Sequence, residues 1–316
     1  MARIPIILDC DPGQDDAINI LLALASAGEL DLLGITTVAG NVPLEKTERN
    51  ARILCEIAGR KDVPVFGGCS RPMLRPLVTA EYVHGREGID GAEIFEPELP
   101  RRDEHAVDFL VRRLMEEDDD SITLVPTGPL TNLGTAIVRE PLILPKIHEI
   151  VLMGGAMREG GNATPSAEFN IYVDPHAAKI VFGCGRPLVV MGLDVTHRVL
   201  VTPRRLEAIG ALGTRVGRNA KAMLEFFNRY DTEKYGSEGG PLHDPCTVAY
   251  LLKPELFKTK HVNIEIETAS ELTMGATAVD FWGVTDRERN ASWAYDVDAE
   301  GFFELLTERL GRLQDP

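Results

Sequence analysis

The sequence predicts an α/β protein, a single domain over residues 1–316 built on an open, doubly wound, mainly parallel sheet with helices on both faces. Three observations carry this reading. Short apolar runs alternate with stretches of helical apolar spacing, the pattern of strands joined by crossover helices. Several apolar runs stop abruptly at acids, amides or glycines, as strands do where a parallel sheet opens to a ligand. No internal repeat, low-complexity tract or linker divides the chain.

The elements follow in order. Ile4 to Leu8 is an apolar run that stops at Asp9. A Pro-Gly turn leads into Asp15 to Ala27, which has helical spacing with acids at its start. Asp31 to Val38 reads as a second strand, Glu45 to Ile57 as a second helix and Val63 to Phe66 as a third strand. Residues 67–104 are rich in Gly, Pro and charge and form a long irregular excursion, which in a compact domain marks function. The alternation resumes with a helix over His105 to Glu117, a strand over Ile122 to Val125, a helix over Leu130 to Arg139 and a strand over Ile150 to Met153. Pro175 to Phe182 is helical and Leu188 to Leu193 a strand. Pro203 to Leu252 is mostly helical, His261 to Ile266 and Thr277 to Asp280 are late strands, and Ala299 to Leu313 closes the chain as a helix.

Composition narrows the function. With 44% hydrophobic and 26% charged residues, the 316-residue chain is ordinary for a soluble globular protein. A formal net charge of −16 repels phosphate backbones, so a nucleic-acid polymer is excluded as partner while a neutral nucleoside is not. Five scattered cysteines without a Cys-x-x-Cys pair read as reduced thiols. No apolar run is long enough for a membrane span, and the N-terminus enters a strand without a signal-peptide pattern, so a cytoplasmic location is expected.

The strongest local signal is Asp9-Cys10-Asp11-Pro12-Gly13-Gln14-Asp15-Asp16 at the junction of strand and helix. Carboxylates this close repel one another unless a cation lies between them, and an oxygen-only set suits a hard ion, calcium or magnesium. Helix capping would account for Asp15 and Asp16 but poorly for Asp9 and Asp11. An EF-hand loop fails because its twelfth position is Ile20. A phosphohydrolase with an Asp-x-Asp nucleophile is the competing enzyme reading, and a nucleoside- or calcium-binding module the competing non-enzyme one.

Other strand ends carry polar groups. They are Gly40-Asn41, Pro126-Thr127-Gly128, Met153-Gly154-Gly155 and the segment from Asn162 to Asn170, which holds Asn162, Glu168, Phe169 and Asn170. Singly each suits a turn or cap; together they suit the hydroxyls of a sugar. His243-Asp244-Pro245 adds a possible proton donor and a remote ligand, although Asp244 could equally cap the helix that follows. His84 sits alone in the long excursion.

These segments, with Thr131-Asn132, Ala167-Glu168-Phe169-Asn170 and Leu242-His243-Asp244-Pro245, resemble the nucleoside hydrolases, the inosine–uridine preferring family, along nearly the whole chain. The resemblance implies hydrolysis of the N-glycosidic bond of ribonucleosides, nonspecific or pyrimidine/inosine preferring, in nucleoside catabolism. It implies Ca²⁺ bound by Asp11, Asp15, Asp244 and the carbonyl of Thr127, with Asp11 as general base on a calcium-bound water. Asp15, Asn41, Asn162, Glu168, Asn170 and Asp244 would hold the ribose, with Met153 and Phe169 beside them, and Asp9 and Asp16 in support. His243 matches the histidine that protonates the leaving base and His84 one near the base. The family also implies a homotetramer or homodimer. The chain departs from the family's aromatic and amide base pocket at residues 228–240, where Tyr230 or Tyr235 would face the base and Asp231 is an unusual neighbour. Loops 73–92 and 225–242 are expected to close over substrate.

Overall fold

Nine strands join into one sheet in the computed structural model, which describes residues 3–315; the side chain of Tyr235 lies outside the described residues. The strands are β1 (Ile4–Cys10), β2 (Leu30–Thr37), β3 (Val65–Gly67), β4 (Ile122–Pro126), β5 (Ile147–Met153), β6 (Leu188–Met191), β7 (Phe257–Ile266), β8 (Thr277–Asp280) and β9 (Ala291–Val297). Their order across the sheet is β3-β2-β1-β4-β5-β6-β9-β7-β8. All pairs from β3 to β9 are parallel, and β7 then pairs antiparallel with both β9 and β8. The chain therefore builds outward from β1 in one direction and from β4 in the other. Their junction is the switch point at which such sheets open a crevice beyond the strand ends.

The helices are α1 (Gln14–Ala25), α2 (Leu44–Ile57), α3 (Glu81–His84), α4 (Ala106–Met115), α5 (Thr131–Arg139), α6 (Phe169–Val173), α7 (Pro175–Phe182), α8 (Leu193–Thr196), α9 (Pro203–Gly210), α10 (Arg215–Tyr235), α11 (Pro245–Leu252) and α12 (Ala299–Leu310). Strand side chains alternate between two cores. Ile6, Leu8 and Cys10 of β1 pack with α1, α2, α11 and α12, whereas Ile7 packs with α4, α5 and α7. This is the period of two on a sheet buried on both faces, and it explains why the central strands read as continuous apolar runs. Among the described residues no helix is long and apolar enough to cross a membrane.

The fold class is as expected, and the differences are local. The expectation missed β9, whose Ser292, Tyr295 and Asp296 interrupt its apolar pattern, although Ala291, Trp293 and Ala294 are buried between β6 and β7. Strand β7 begins at Phe257 rather than His261, because after the buried Phe257 its exposed Lys258 and Thr259 break the apolar pattern and are held in the strand by pairing with β9. Strand β6 stops at Met191, since the chain turns at Gly192 into the short helix α8. The excursion over 67–104 is irregular apart from the single turn α3. The cysteines are unpaired: Cys10, Cys55 and Cys246 are buried, Cys69 and Cys184 half-buried.

Candidate active site

Strand β1 ends at Cys10, so Asp9 is still fixed by the sheet, opposite Thr36 and Pro126, while Asp11 lies just beyond it. Asp9 turns away from the crevice. Its Oδ1 accepts from the Thr36 hydroxyl at 2.7 Å and from Asn132 Nδ2 at 2.8 Å, and burial pushes its carboxyl up to about 6. The supporting role expected of Asp9 thus has a geometry: it ties β1 to β2 and α5.

Asp11 is fully buried and held in a cradle of glycines. A Cβ at Gly40 would stand 2.0 Å from its Oδ2, and one at Gly128 2.5 Å from its Oδ1. Only residues without a side chain allow the backbone this close. Asp11 Oδ2 accepts the Asn41 N–H at 2.7 Å, and Asn41 Nδ2 donates to the Asp11 carbonyl at 3.1 Å. Asp11 Oδ1 is buried without a partner, as is Asp15 Oδ1.

Helix α1 brings two more acids to the same point. Asp16 accepts from the Thr127 hydroxyl at 2.6 Å and from the Gly13 N–H at 3.3 Å, while Asp15 faces the crevice. Asp244 arrives from the far end of the chain, just before α11. It occupies the N-cap position yet makes no side-chain capping bond, so its carboxylate is available to the cluster. Asp15, Asp16 and Asp244 can each place an oxygen within 4.8 Å of the others. Asp16, expected only in support, thereby joins the metal-competent set; Asp11, expected as a ligand, lies outside that set but touches Asp16. Burial first, and the neighbouring carboxylates second, push Asp16 up to about 8 and raise Asp11 and Asp244 well above the usual carboxylate range. Among the described residues no lysine or arginine lines the crevice. Unpartnered buried oxygens, the glycine cradle and an all-oxygen donor set fit a hard divalent cation.

Beyond the acids the crevice widens to a cavity of about 490 Å³, the size of a small-molecule site. Asn41, Thr127, Met153, Asn162, Glu168, Phe169 and Asn170 all line it. Asn170 Nδ2 donates to the Thr127 carbonyl at 2.7 Å and to the Met153 carbonyl at 3.3 Å, which leaves its Oδ1 for a ligand. Asn162 Oδ1 accepts the Phe169 N–H at 2.9 Å, leaving its NH₂. Glu168 caps α6, accepting N–H bonds from Asn170, Ile171 and Gly155, and burial raises its carboxyl.

The opposite end is aromatic. Gln14 Nε2 donates to the carbonyls of His84 and Asp90, so its Oε1 is oriented to accept from His84 Nδ1 at 2.7 Å. His84 is buried, which lowers its basicity and keeps it neutral; with the proton on Nδ1, Nε2 is left as an acceptor. Its ring stacks on Phe227 at 5.7 Å. Tyr82 meets Tyr230 at 5.7 Å, and Asp231 lies on the same stripe of α10. His243 is hydrogen-bonded at Nδ1 to the Thr196 hydroxyl at 2.8 Å, and burial lowers its basicity well below the ordinary histidine. The role expected of Tyr235 rests on a side chain outside the described residues.

Sequence reasoning missed Gln14, Glu159, Thr196, His197 and Phe227. His197 packs on His243 at 5.8 Å and its Nδ1 pairs with Glu159 at 3.1 Å. The strand-end rule applied to β6 would have flagged Thr196 and His197, and the spacing Phe227, Tyr230, Asp231 was visible as one helical stripe. Gln14 and Glu159 carry no such signal, because only tertiary packing turns them toward the site.

The family model "Inosine-uridine preferring nucleoside hydrolase" matches residues 6–304. A pyrimidine-specific ribonucleoside hydrolase of Enterobacter sp. is 46% identical over 310 residues, covering 98% of each chain. The solved structure of a plant nucleoside hydrolase superposes with a TM-score of 0.91 at 34% identity, over 98% of this chain and 99% of that one. A purine-preferring ribonucleoside hydrolase from Gardnerella vaginalis superposes with a TM-score of 0.90 at 34% identity, over 98% of each.

Proposed function

The chain belongs to the inosine–uridine preferring nucleoside hydrolase family, and we propose that it hydrolyses the N-glycosidic bond of ribonucleosides to free base and ribose with calcium as its metal. The observation that carries this is a set of buried carboxylates, with no lysine or arginine among the described lining residues, opening onto a cavity with amides at one end and aromatic rings and histidines at the other. Asp11, Asp15, Asp16 and Asp244, with the Thr127 carbonyl, would hold the ion. Calcium, when bound, offsets the repulsion among these carboxylates and orients the ribose diol and the attacking water.

The chain's own residues do the rest. Asp15, Asn41, Asn162, Glu168, Asn170 and Asp244 hold the ribose hydroxyls, with Met153 and Phe169 against the sugar. Asp11 Oδ1, which has no protein partner, takes the proton of the attacking water. His243, its ring held through Nδ1 by the Thr196 hydroxyl, acts as the imidazolium: it delivers its Nε2 proton to the departing base and is left as the neutral imidazole. Acid–base help of about 10²–10⁴-fold per group corresponds to roughly 3–5 kcal/mol. Enzymes typically supply ~8–23 kcal/mol, so carboxylates facing the developing ribosyl cation and the positioning of the diol account for the remainder.

The same reading makes the protein a cytoplasmic homo-oligomer, tetramer or dimer, of nucleoside catabolism, acting nonspecifically or with a pyrimidine and inosine preference. A phosphohydrolase reading is disfavoured by the absence of lysine and arginine along the cavity among the described residues. The test is base release from inosine, adenosine, uridine, cytidine and 2′-deoxyuridine, with calcium and after exhaustive chelation. Riboside cleavage lost on chelation and restored by Ca²⁺, with 2′-deoxyuridine a poor substrate because the site's hydroxyl partners are left unpaired, is the expected result. No cleavage of any nucleoside with metal present overturns it.

A further inference from the structure

Among the described residues that line the cavity, Asp231 carries a carboxylate that no part of the mechanism uses. Helix α10 presents Phe227, Tyr230 and Asp231 to the cavity, three residues at helical spacing that form one stripe. Phe227 packs on the His84 ring and Tyr230 on Tyr82, so the stripe and the segment around α3 make one continuous aromatic lining at this end of the cavity. Asp231 stands next along the stripe. Its Oδ2 lies 3.2 Å from where a Cβ of residue 240 would be, and Gly240 leaves that space to the carboxylate. Among the described residues the Asp231 carboxylate accepts no hydrogen bond and joins no ion pair, although it is half-buried. The nearby imidazole of His197 is paired instead with Glu159.

We propose that Asp231 selects the nucleobase, favouring bases whose far edge carries an exocyclic amino group, cytosine and adenine, over the keto bases uracil and hypoxanthine. This rests on the hydrolase reading above in its nonspecific form, and replaces the inosine preference with a preference set by the exocyclic group. The ribose is held at the acidic end, so a base joined through its glycosidic nitrogen points its opposite edge away from the metal cluster. On a pyrimidine or purine that edge bears the amino or keto group. An ionised carboxylate only accepts hydrogen bonds. The neutral His84 adds a second acceptor at Nε2. An amino group satisfies such a site. A carbonyl oxygen there meets another acceptor, and although uracil and hypoxanthine have a ring N–H, a carbonyl flanks it. Mispairing a polar group in a desolvated pocket is strongly penalised.

The experiment measures kcat/KM for cytidine, uridine, adenosine and inosine with the calcium-loaded protein and with Asp231→Asn and Asp231→Ala. The unaltered chain is expected to favour cytidine over uridine by about 10-fold or more, the worth of one hydrogen bond to a charged group. Asp231→Asn, which adds a donor at the same place, lowers the cytidine-to-uridine and adenosine-to-inosine ratios by a similar ~10-fold. Asp231→Ala lowers the ratios without improving uridine. Because each ratio is taken on one protein, partial loss of folded enzyme does not affect it. A ratio unchanged by both substitutions, or a parent that favours uridine, overturns the role of Asp231 while leaving the hydrolase reading standing. No cleavage by any of the three proteins overturns both.

Discussion

Removing the metal should invert the pH dependence of stability. Without a cation, Asp16 has its carboxyl pushed up to about 8 and Asp11 and Asp244 are raised well above the usual range, all chiefly by burial. In the unfolded chain the same groups titrate near ~4. Above that value the unfolded state sheds protons that the folded state keeps. Their contribution to stability is therefore full at low pH and is lost as pH rises through the folded values. Each retained proton contributes about 1.4 kcal/mol per pH unit. Asp16 alone changes stability by ~1 kcal/mol between pH 8 and 7, and three such groups by up to ~4 kcal/mol. In a chain of this size that is a rise in Tm of about 1.5–6 °C on acidification. The window stops near pH 7 because His84 and His243, whose basicity burial lowers, are neutral in the fold and oppose further acidification. With saturating calcium the ion competes with these protons, so the Tm gain from metal should be largest at pH 8 and shrink at pH 7. The assay is thermal unfolding at pH 8.0, 7.5 and 7.0 in calcium and in chelator. A chelated protein whose Tm is flat or falls on acidification, or a Tm indifferent to calcium, would refute the buried carboxylate cluster as the metal site.

Two further outcomes follow from the same geometry. His243→Ala should reduce turnover of natural nucleosides by about 10²–10⁴-fold but leave an activated p-nitrophenyl riboside much less affected, because that leaving group needs no proton; equal losses in steady-state kinetics on both would remove His243 from the acid role. Gly40→Ala places a methyl 2.0 Å from Asp11 Oδ2, so it should cost about 1–3 kcal/mol of stability in denaturant unfolding and at least ~10²-fold in turnover from the displaced carboxylate; a fully active variant would mean that the cradle does not position Asp11.

Much of the site was legible because its residues follow strands directly. Asp9, Asp11, Asn41, Thr127 and Met153 sit at or just past strand ends, where the direction of a parallel sheet dictates a crevice. Their chemistry, oxygens without nearby bases, named the class of ion. Asp244 is the intermediate case: its position before α11 was equally that of a cap, and only the missing capping bond in the fold shows its carboxylate to be available.

What the sequence determined by itself was the alternation of strand and helix, the acid cluster at the end of β1 and the family to which the chain's motifs point. Local periodicity and turn chemistry act over a few residues, and these features are local. Tertiary structure alone decided which acids converge, so that Asp16 rather than only Asp15 and Asp244 forms the cluster. It also decided that β9, late in the chain, inserts between β6 and β7, and that Gln14 fixes the tautomer of His84. These depend on contacts between segments far apart in the chain. Alternation specifies the faces of a strand but not its neighbours, and the direction of a loop side chain is set by whatever packs against it.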